Sequence, residues 1–368
     1  MTRRTLVAIL TIVAATILLA AHAWLWFSVI FLLDITTEAI QIILAVLFGL
    51  FAVGFLPSMY LVHIRENWLT SWVYTVVATW LGLALYLAIA CSVGLLIVWL
   101  LPLAAWREWI GIVAVGGALG YAGYGVWNAQ FPRVRRVSLP ADRFPESWRG
   151  KTIVQLSDVH LGVVHHIKFM RRVVTLTKAL HPDIIFITGD LYDGVGQELG
   201  LMANPLQELR PPMGMYFITG NHETYVGVEK VFAALKELPM RVLHDEIVDV
   251  AGVQVMGVEY HLPGKEKDLG SIIDRLDPSR PSIVLLHEPV PDAVARAADR
   301  GASLMLCGHT HKGQLWPFAA ITQKIYGRFH YRRSTIKQMT LYTSPGVGTW
   351  GPPMRTGNFP EIVALRIG

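Results

Sequence analysis

Four apolar runs open the chain, at roughly 6–33, 39–62, 73–101 and 110–129. Each exceeds the ~20 residues a helix needs to cross a hydrocarbon core, which predicts four membrane-spanning helices. From residue 133 the pattern changes. A Pro- and Arg-containing stretch at 133–149 shows little periodicity and reads as a linker. Short apolar runs then alternate with amphipathic ones. Strands are predicted at 152–156, 183–188, 214–219, 282–286, 303–307, 341–343 and 362–367, and helices at 167–180 and 228–238. Two alternating segments, 246–250 and 253–258, flank Ala251-Gly252 as a hairpin. The expected organisation is an all-α four-helix transmembrane region (1–132), a linker (133–149) and an α/β domain (150–368). In that domain two mixed sheets would be flanked by helices.

Composition sharpens this division. The 53% hydrophobic content of the 368 residues is concentrated in the first part. Residues 1–132 carry only Arg3, Arg4, Arg65 and Arg107 against Asp34, Glu38, Glu66 and Glu108, so the whole net charge of +5 belongs to the second part. Arg3 and Arg4 precede the first run, Arg65 lies between the second and third, and Arg133, Arg135 and Arg136 follow the fourth. The positive-inside rule therefore puts both termini on the cytoplasmic side of an inner membrane. Ala21-His22-Ala23 resembles a signal-peptide cleavage site, but the apolar run continues past it to Leu33. With His22 the one obviously titratable group at depth, ion-coupled transport is disfavoured. Gly116 and Gly120 form a Gly-x-x-x-Gly pair suited to helix packing. Two cysteines, Cys91 and Cys307, make no disulfide framework.

The chemistry sits in five short motifs, each where a predicted strand stops. In order they are Ser-Asp-Val-His (Asp158, His160), Gly-Asp (Asp190), Gly-Asn-His-Glu (Asn221, His222, Glu223), Leu-His-Glu-Pro (His287) and Gly-His-Thr-His (His309, His311). A single Asp or His at a strand end is usually a turn residue. Seven oxygen- and nitrogen-bearing groups in this order are about what two neighbouring transition metals require. Two close ions must share a ligand, and Asp190 is the natural bridge. Imidazole and carboxylate ligands suit manganese first, with iron or zinc as alternatives, and the lack of thiolates argues against a structural zinc cluster. The glycines preceding Asp190, Asn221 and His309 would let the chain turn off a strand and approach a phosphate closely.

This series resembles the calcineurin-like metallophosphoesterase superfamily. The strings Leu-Ser-Asp-Val-His-Leu-Gly, Gly-Asp-Leu-Tyr-Asp and Gly-His-Thr-His-Lys-Gly-Gln are similar to its membrane-attached bacterial phosphodiesterase branch. The resemblance covers about 150–368. It implies a first metal held by Asp158, His160, Asp190 and His311, and a second held by Asp190, Asn221, His287 and His309. A hydroxide would attack phosphorus in line with the leaving oxygen. His222 would stabilise the transition state or protonate the leaving group, with Glu223 holding its ring. Lys312 stands where the family usually has Gly, and it and Arg355 are candidate phosphate contacts. Some members with this pattern cleave the pyrophosphate of UDP-diacylglucosamine, which suggests a phosphate-containing, lipid-linked substrate at the bilayer. A tethered hydrolase of soluble phosphodiesters and a non-catalytic membrane scaffold are the rival readings.

The remaining candidates are weaker. His165, His166, His181, His244, His261 and His330 lack motif context and read as surface residues. Asp193 reads equally as a group that orients a ligand or as a turn cap. The segment 324–337 interleaves Lys324, Arg328, Arg332, Arg333 and Lys337 with Tyr326, Phe329 and Tyr331. It reads as a solvated hairpin or as a lip for anionic headgroups. Nucleic acid is not expected, because no long basic groove accompanies this segment. Oligomeric state is not encoded in any feature of the chain.

Overall fold

The computed structural model describes residues 3–193, 199–261 and 267–368. The chain divides into two compact units, Met1–Trp127 with Gly351–Met354, and Asn128–Trp350 with Arg355–Gly368.

The first unit carries α1 (Arg3–Leu32), α2 (Glu38–Ile64), α3 (Trp68–Leu100) and α4 (Arg107–Ala129), whose last two residues belong to the second unit. All four helices are long and apolar enough to cross a membrane. Asn67 caps α3: its side chain accepts from Leu69 N and Thr70 N, and Thr70 Oγ1 accepts from Asn67 N. His22 is buried and satisfied, accepting from Trp80 Nε1 (2.9 Å) and contacting Leu18 O (2.8 Å) through its other nitrogen. Gly116 and Gly120 make no close helix contact among the described residues, where a Cβ at either would meet nothing within 4 Å. Close approach occurs instead at Gly111, where a Cβ would lie 2.8 Å from Leu32 O.

In the second unit, sheet 1 orders β1 (Arg133–Leu139), β14 (Glu361–Ile367), β2 (Thr152–Leu156), β4 (Ile184–Thr188), β6 (Met215–Ile218) and β7 (Arg241–Val242). Sheet 2 orders β12 (Arg332–Ile336), β13 (Met339–Thr343), β11 (Leu304–Cys307), β10 (Ser282–Leu285), β9 (Val253–Gly257) and β8 (Glu246–Val250). A short parallel pair joins β3 (Leu161–Gly162) to β5 (Tyr192–Asp193). The helices are α5 (Ile167–Lys178), α6 (Leu199–Ala203), α7 (Asn221–Val226), α8 (Val228–Leu235), α9 (Leu269–Ile273), α10 (Pro291–Asp299) and α11 (Ala319–Tyr326).

Side chains alternate across each strand, so the central strands serve two cores at once. Ile153, Phe186, Ile283 and Leu304 fill the space between the sheets. Val154, Ile185 and Ile187 face outward onto α5 residues such as Val173, and Met256, Val284 and Met305 pack on α10 residues such as Val294. Burial on both faces explains the near-continuous apolar runs of β2, β4, β10 and β11. The β2–β4–β6 set and the β9–β10–β11–β13 set are each parallel, so their carboxyl ends share one edge.

The stretch expected to be a linker is instead part of the fold. Arg133–Leu139 pairs in parallel with β14 along its whole length, as an edge strand. Its exposed arginines masked the apolar positions Val134, Val137 and Leu139, which pack inward. The basic segment is likewise not one hairpin. It runs from the end of α11 through a single turn into β12, which pairs antiparallel with β13.

Candidate metal centre

Five strands end one or two residues before the motif residues, and the motif side chains converge. The ligating atoms of Asp158, His160 and His311 lie within 4.8 Å of one another, as do those of Asp190, His287 and His309. In the first group the Nε2 atoms of His160 and His311 are 3.0 Å apart, and His311 Nε2 is 3.4 Å from Asp158 Oδ1. In the second, His287 Nε2 is 3.2 Å from both Asp190 Oδ2 and Asn221 Oδ1, and His309 Nδ1 is 2.8 Å from Asn221 Oδ1. Asp190 Oδ2 also lies 3.9 Å from His160 Nε2, so this carboxylate reaches both groups. His287 Nδ1 donates to Thr188 O (2.7 Å), which turns its Nε2 into the cluster, toward Asp190.

The backbone bends hard to achieve this. Asp158, His160, Asp190, His309 and His311 all have φ between 47° and 67°, the left-handed region disfavoured by side chains. Such residues cost about 1–3 kcal/mol each and persist where surrounding structure overdetermines them. The expected role of the neighbouring glycines changes. A Cβ on Gly220 would lie 2.2 Å from Asp190 Oδ1, and one on Gly308 would lie 1.9 Å from Ser157 Oγ and 2.3 Å from Asp158 Oδ2. These glycines make room for the carboxylates themselves.

Burial dominates the electrostatics. It drives His160 and His309 down to about 4 and His311 well below its usual range, so these rings are neutral with lone pairs to offer. Burial, with the Asp190 charge behind it, pushes Asp158 up to about 6. Burial would also raise Asp190, but the charge and hydrogen bond of His287 hold it well below the carboxylate range. Buried carboxylates and neutral imidazoles crowded at these distances, with His160 Nδ1 lacking a partner, form a donor set that fits divalent cations.

His222 stands beside this set. Its Nδ1 is 2.9 Å from Asp193 Oδ1, and Asp193, not Glu223, holds the ring. Burial would lower His222, but the Asp193 hydrogen bond and the Asp190 charge raise it to about 9. Glu223 is fully buried and braces the loops, accepting from Gly220 N (2.6 Å), Asp190 N (2.9 Å) and Tyr192 N (3.1 Å). Asp193 follows Asp190 by three residues in Gly-Asp-Leu-Tyr-Asp, a spacing that carries the signal.

Neither expected phosphate contact faces this site. Lys312 Nζ reaches Gly357 O (3.4 Å) and lies 4.5 Å over the Tyr331 ring. Arg355 is fully buried, donating to Gly348 O, Pro345 O and Asn358 Oδ1, with Nη2 3.2 Å from His311 Nδ1. His165, expected at the surface, is buried against Phe169 and accepts from Thr349 N (3.0 Å). Its neighbours Leu161 and Phe169 close over it, which its sequence context did not signal.

A cavity of about 400 Å³ opens onto the cluster. Its lining includes Asp190, Asn221, His222, His309 and His311 together with Tyr225, Phe318, Ile321 and Trp350. Those four apolar side chains are exposed although they are large, Trp350 by 57% and Ile321 by 55%.

The sequence profile of the calcineurin-like phosphoesterase family matches residues 151–313. A bovine transmembrane protein with metallophosphoesterase domain is 34% identical over 254 residues, covering 64% of this chain and 57% of that protein. A zebrafish protein of the same description is 32% identical, with 66% and 59% covered. The chain thus spans less than three fifths of the length of these two relatives. A metallophosphoesterase of Aquifex aeolicus is 31% identical over 254 residues, with 66% of this chain and 95% of that protein covered. Four candidate membrane helices, an α/β sandwich and converging clusters of candidate ligands accord with these likenesses: the chain belongs to the calcineurin-like metallophosphoesterase family.

Proposed function

We propose that the protein is a membrane-embedded hydrolase that uses two divalent metals to cleave a phosphodiester or pyrophosphate bond in a lipid-linked substrate. Asp158, His160, Asp190 and His311 would hold one ion, and Asp190, Asn221, His287 and His309 the other, with manganese the first choice. When bound, the ions supply Lewis acidity toward phosphoryl oxygens and lower the pKa of water. The chain's own groups do the rest. Asp193 keeps His222 oriented and protonated near neutral pH, ready to give a proton to the leaving oxygen. Glu223 fixes the loops that present Asp190 and His222. The arginine distribution along the spans supports a catalytic domain on the cytoplasmic face.

The observation that carries the lipid reading is the mixed lining of the cavity, in which candidate metal ligands stand together with the large exposed side chains of Tyr225, Phe318, Ile321 and Trp350. A soluble diester needs no such lining. The test is a series of alkyl nitrophenyl phosphodiesters, kept below their micellar concentrations, hydrolysed by full-length protein with Mn²⁺. At ~0.8 kcal/mol per buried methylene, kcat/KM should rise roughly fourfold with each carbon until the apolar lining is covered. A flat series with good turnover would leave a tethered hydrolase of soluble diesters. No turnover with any divalent metal would leave the scaffold reading.

A further inference from the structure

We infer that Asn128, from the last turn of α4, is a positioning residue for the metal ligand His311. The inference rests on the assignment of His311 as a ligand and adds a residue outside the stretch that matches the family, 151–313. Asn128 is 1% exposed, and its amide nitrogen donates to Arg355 O and Asn358 O, both at 2.9 Å. Both amide protons are thus committed to one loop. That loop is what holds His311: Asn358 Nδ2 donates to His311 O (2.6 Å), Arg355 Nη2 lies 3.2 Å from His311 Nδ1, and Arg355 Nη1 donates to Asn358 Oδ1.

The physical case has three parts. His311 has a φ of 47°, a conformation that must be imposed from outside the residue. The loop imposing it has two carbonyls whose bonds to Asn128 would be lost on truncation, at the desolvation cost of buried acceptors. Asn128 is itself fixed, because the chain just after it is pinned within the same unit. Arg172 donates to Gln130 O and stacks 4.7 Å over Phe131, and Arg133 N donates to Pro360 O (2.9 Å). A purely space-filling Asn would not direct both donors at the loop that carries the ligand's supports.

The test compares full-length Asn128→Ala, Asn358→Ala and the double variant by Mn²⁺ competition with a fluorescent chelator, alongside thermal unfolding of the metal-free proteins. Removing outer-shell partners typically weakens metal affinity ~10- to 100-fold, and either single variant should lose roughly tenfold for the weaker-bound ion. The double variant should lose little more than either alone, because both act through one loop. If Asn128→Ala folds poorly, Asn128→Leu, which fills a similar volume without the two donors, replaces it in both the single and the double variant. Unchanged Mn²⁺ affinity in Asn128→Ala, with only a lowered Tm, would make the residue structural and overturn the inference. Fully additive losses would overturn it as well. Wild-type protein that binds no Mn²⁺ would instead refute the metal-site reading beneath it.

Discussion

At the scale of single residues, the division between holding metals and moving a proton is sharp enough to test. His222 Nδ1 contacts Asp193, and these two form a further close group with His160, while the backbone N–H of His222 donates to Asp190 Oδ1 (2.9 Å). His222→Ala should keep both metals and slow turnover roughly 10²–10⁴-fold. Asp193→Asn should give a smaller loss in the same direction, since it removes the charge that keeps the ring protonated. Both losses should shrink for substrates with a good leaving group, read as a comparison of nitrophenyl and alkyl leaving groups. A fall in metal content on changing His222 would make it a ligand and sink its assigned role. The convergence of the motif residues was legible because each motif pairs a side chain able to bind metal with the end of an apolar run. Asp193 was not, because a lone carboxylate after a strand serves a turn cap equally well. His165 was misread for a related reason: a polar residue looks like surface until a fold closes around it.

At the scale of elements, strand ends and the glycines beside them place the chemistry. A methyl group at Gly308 would collide with Ser157 and Asp158 at the end of β2, one strand's end pressing on another's. Gly308→Ala should destabilise the protein by about 1–3 kcal/mol, as overpacking does, and should lower metal content more than its Tm shift explains. Thermal unfolding with metal analysis checks this, and a variant with normal values for both would show that the loops have slack. The central strands were readable from their unbroken apolar runs. The edge strand β1 was not, since one face and one side meet solvent and its arginines hide the alternation. The two-residue strands β3 and β5 and the turn-length helix α6 are too short to leave a period in the sequence.

At the scale of the whole molecule, four apolar helices share one chain with a basic catalytic unit. The unit exposes Lys324, Arg328 and Arg333 close in sequence to the exposed side chains Ile321 and Ile325 of α11. Changing those three cations to Gln should reduce activity on anionic-lipid vesicles, each removal costing about 1 kcal/mol of surface attraction. Hydrolysis of a small soluble diester should be unaffected, and the salt sensitivity of the vesicle reaction should fall. Equal loss on both substrates would point to folding damage, and no loss on either would return the segment to a plain solvated surface. The division of the chain was legible from hydropathy alone. The membership of 351–354 in a unit other than that of its sequence neighbours was not, because it depends on contacts between residues far apart in sequence.

The central claim is that two ions share Asp190 and that turnover needs both. Full-length protein stripped by chelator and titrated with Mn²⁺ tests it, with bound metal and phosphodiester hydrolysis measured on the same samples beside Asp190→Asn. The account predicts that activity appears only as the second ion binds, and that Asp190→Asn loses both activity and most of its metal. Full activity with one ion per chain, or near-normal metal and turnover in Asp190→Asn, would contradict it.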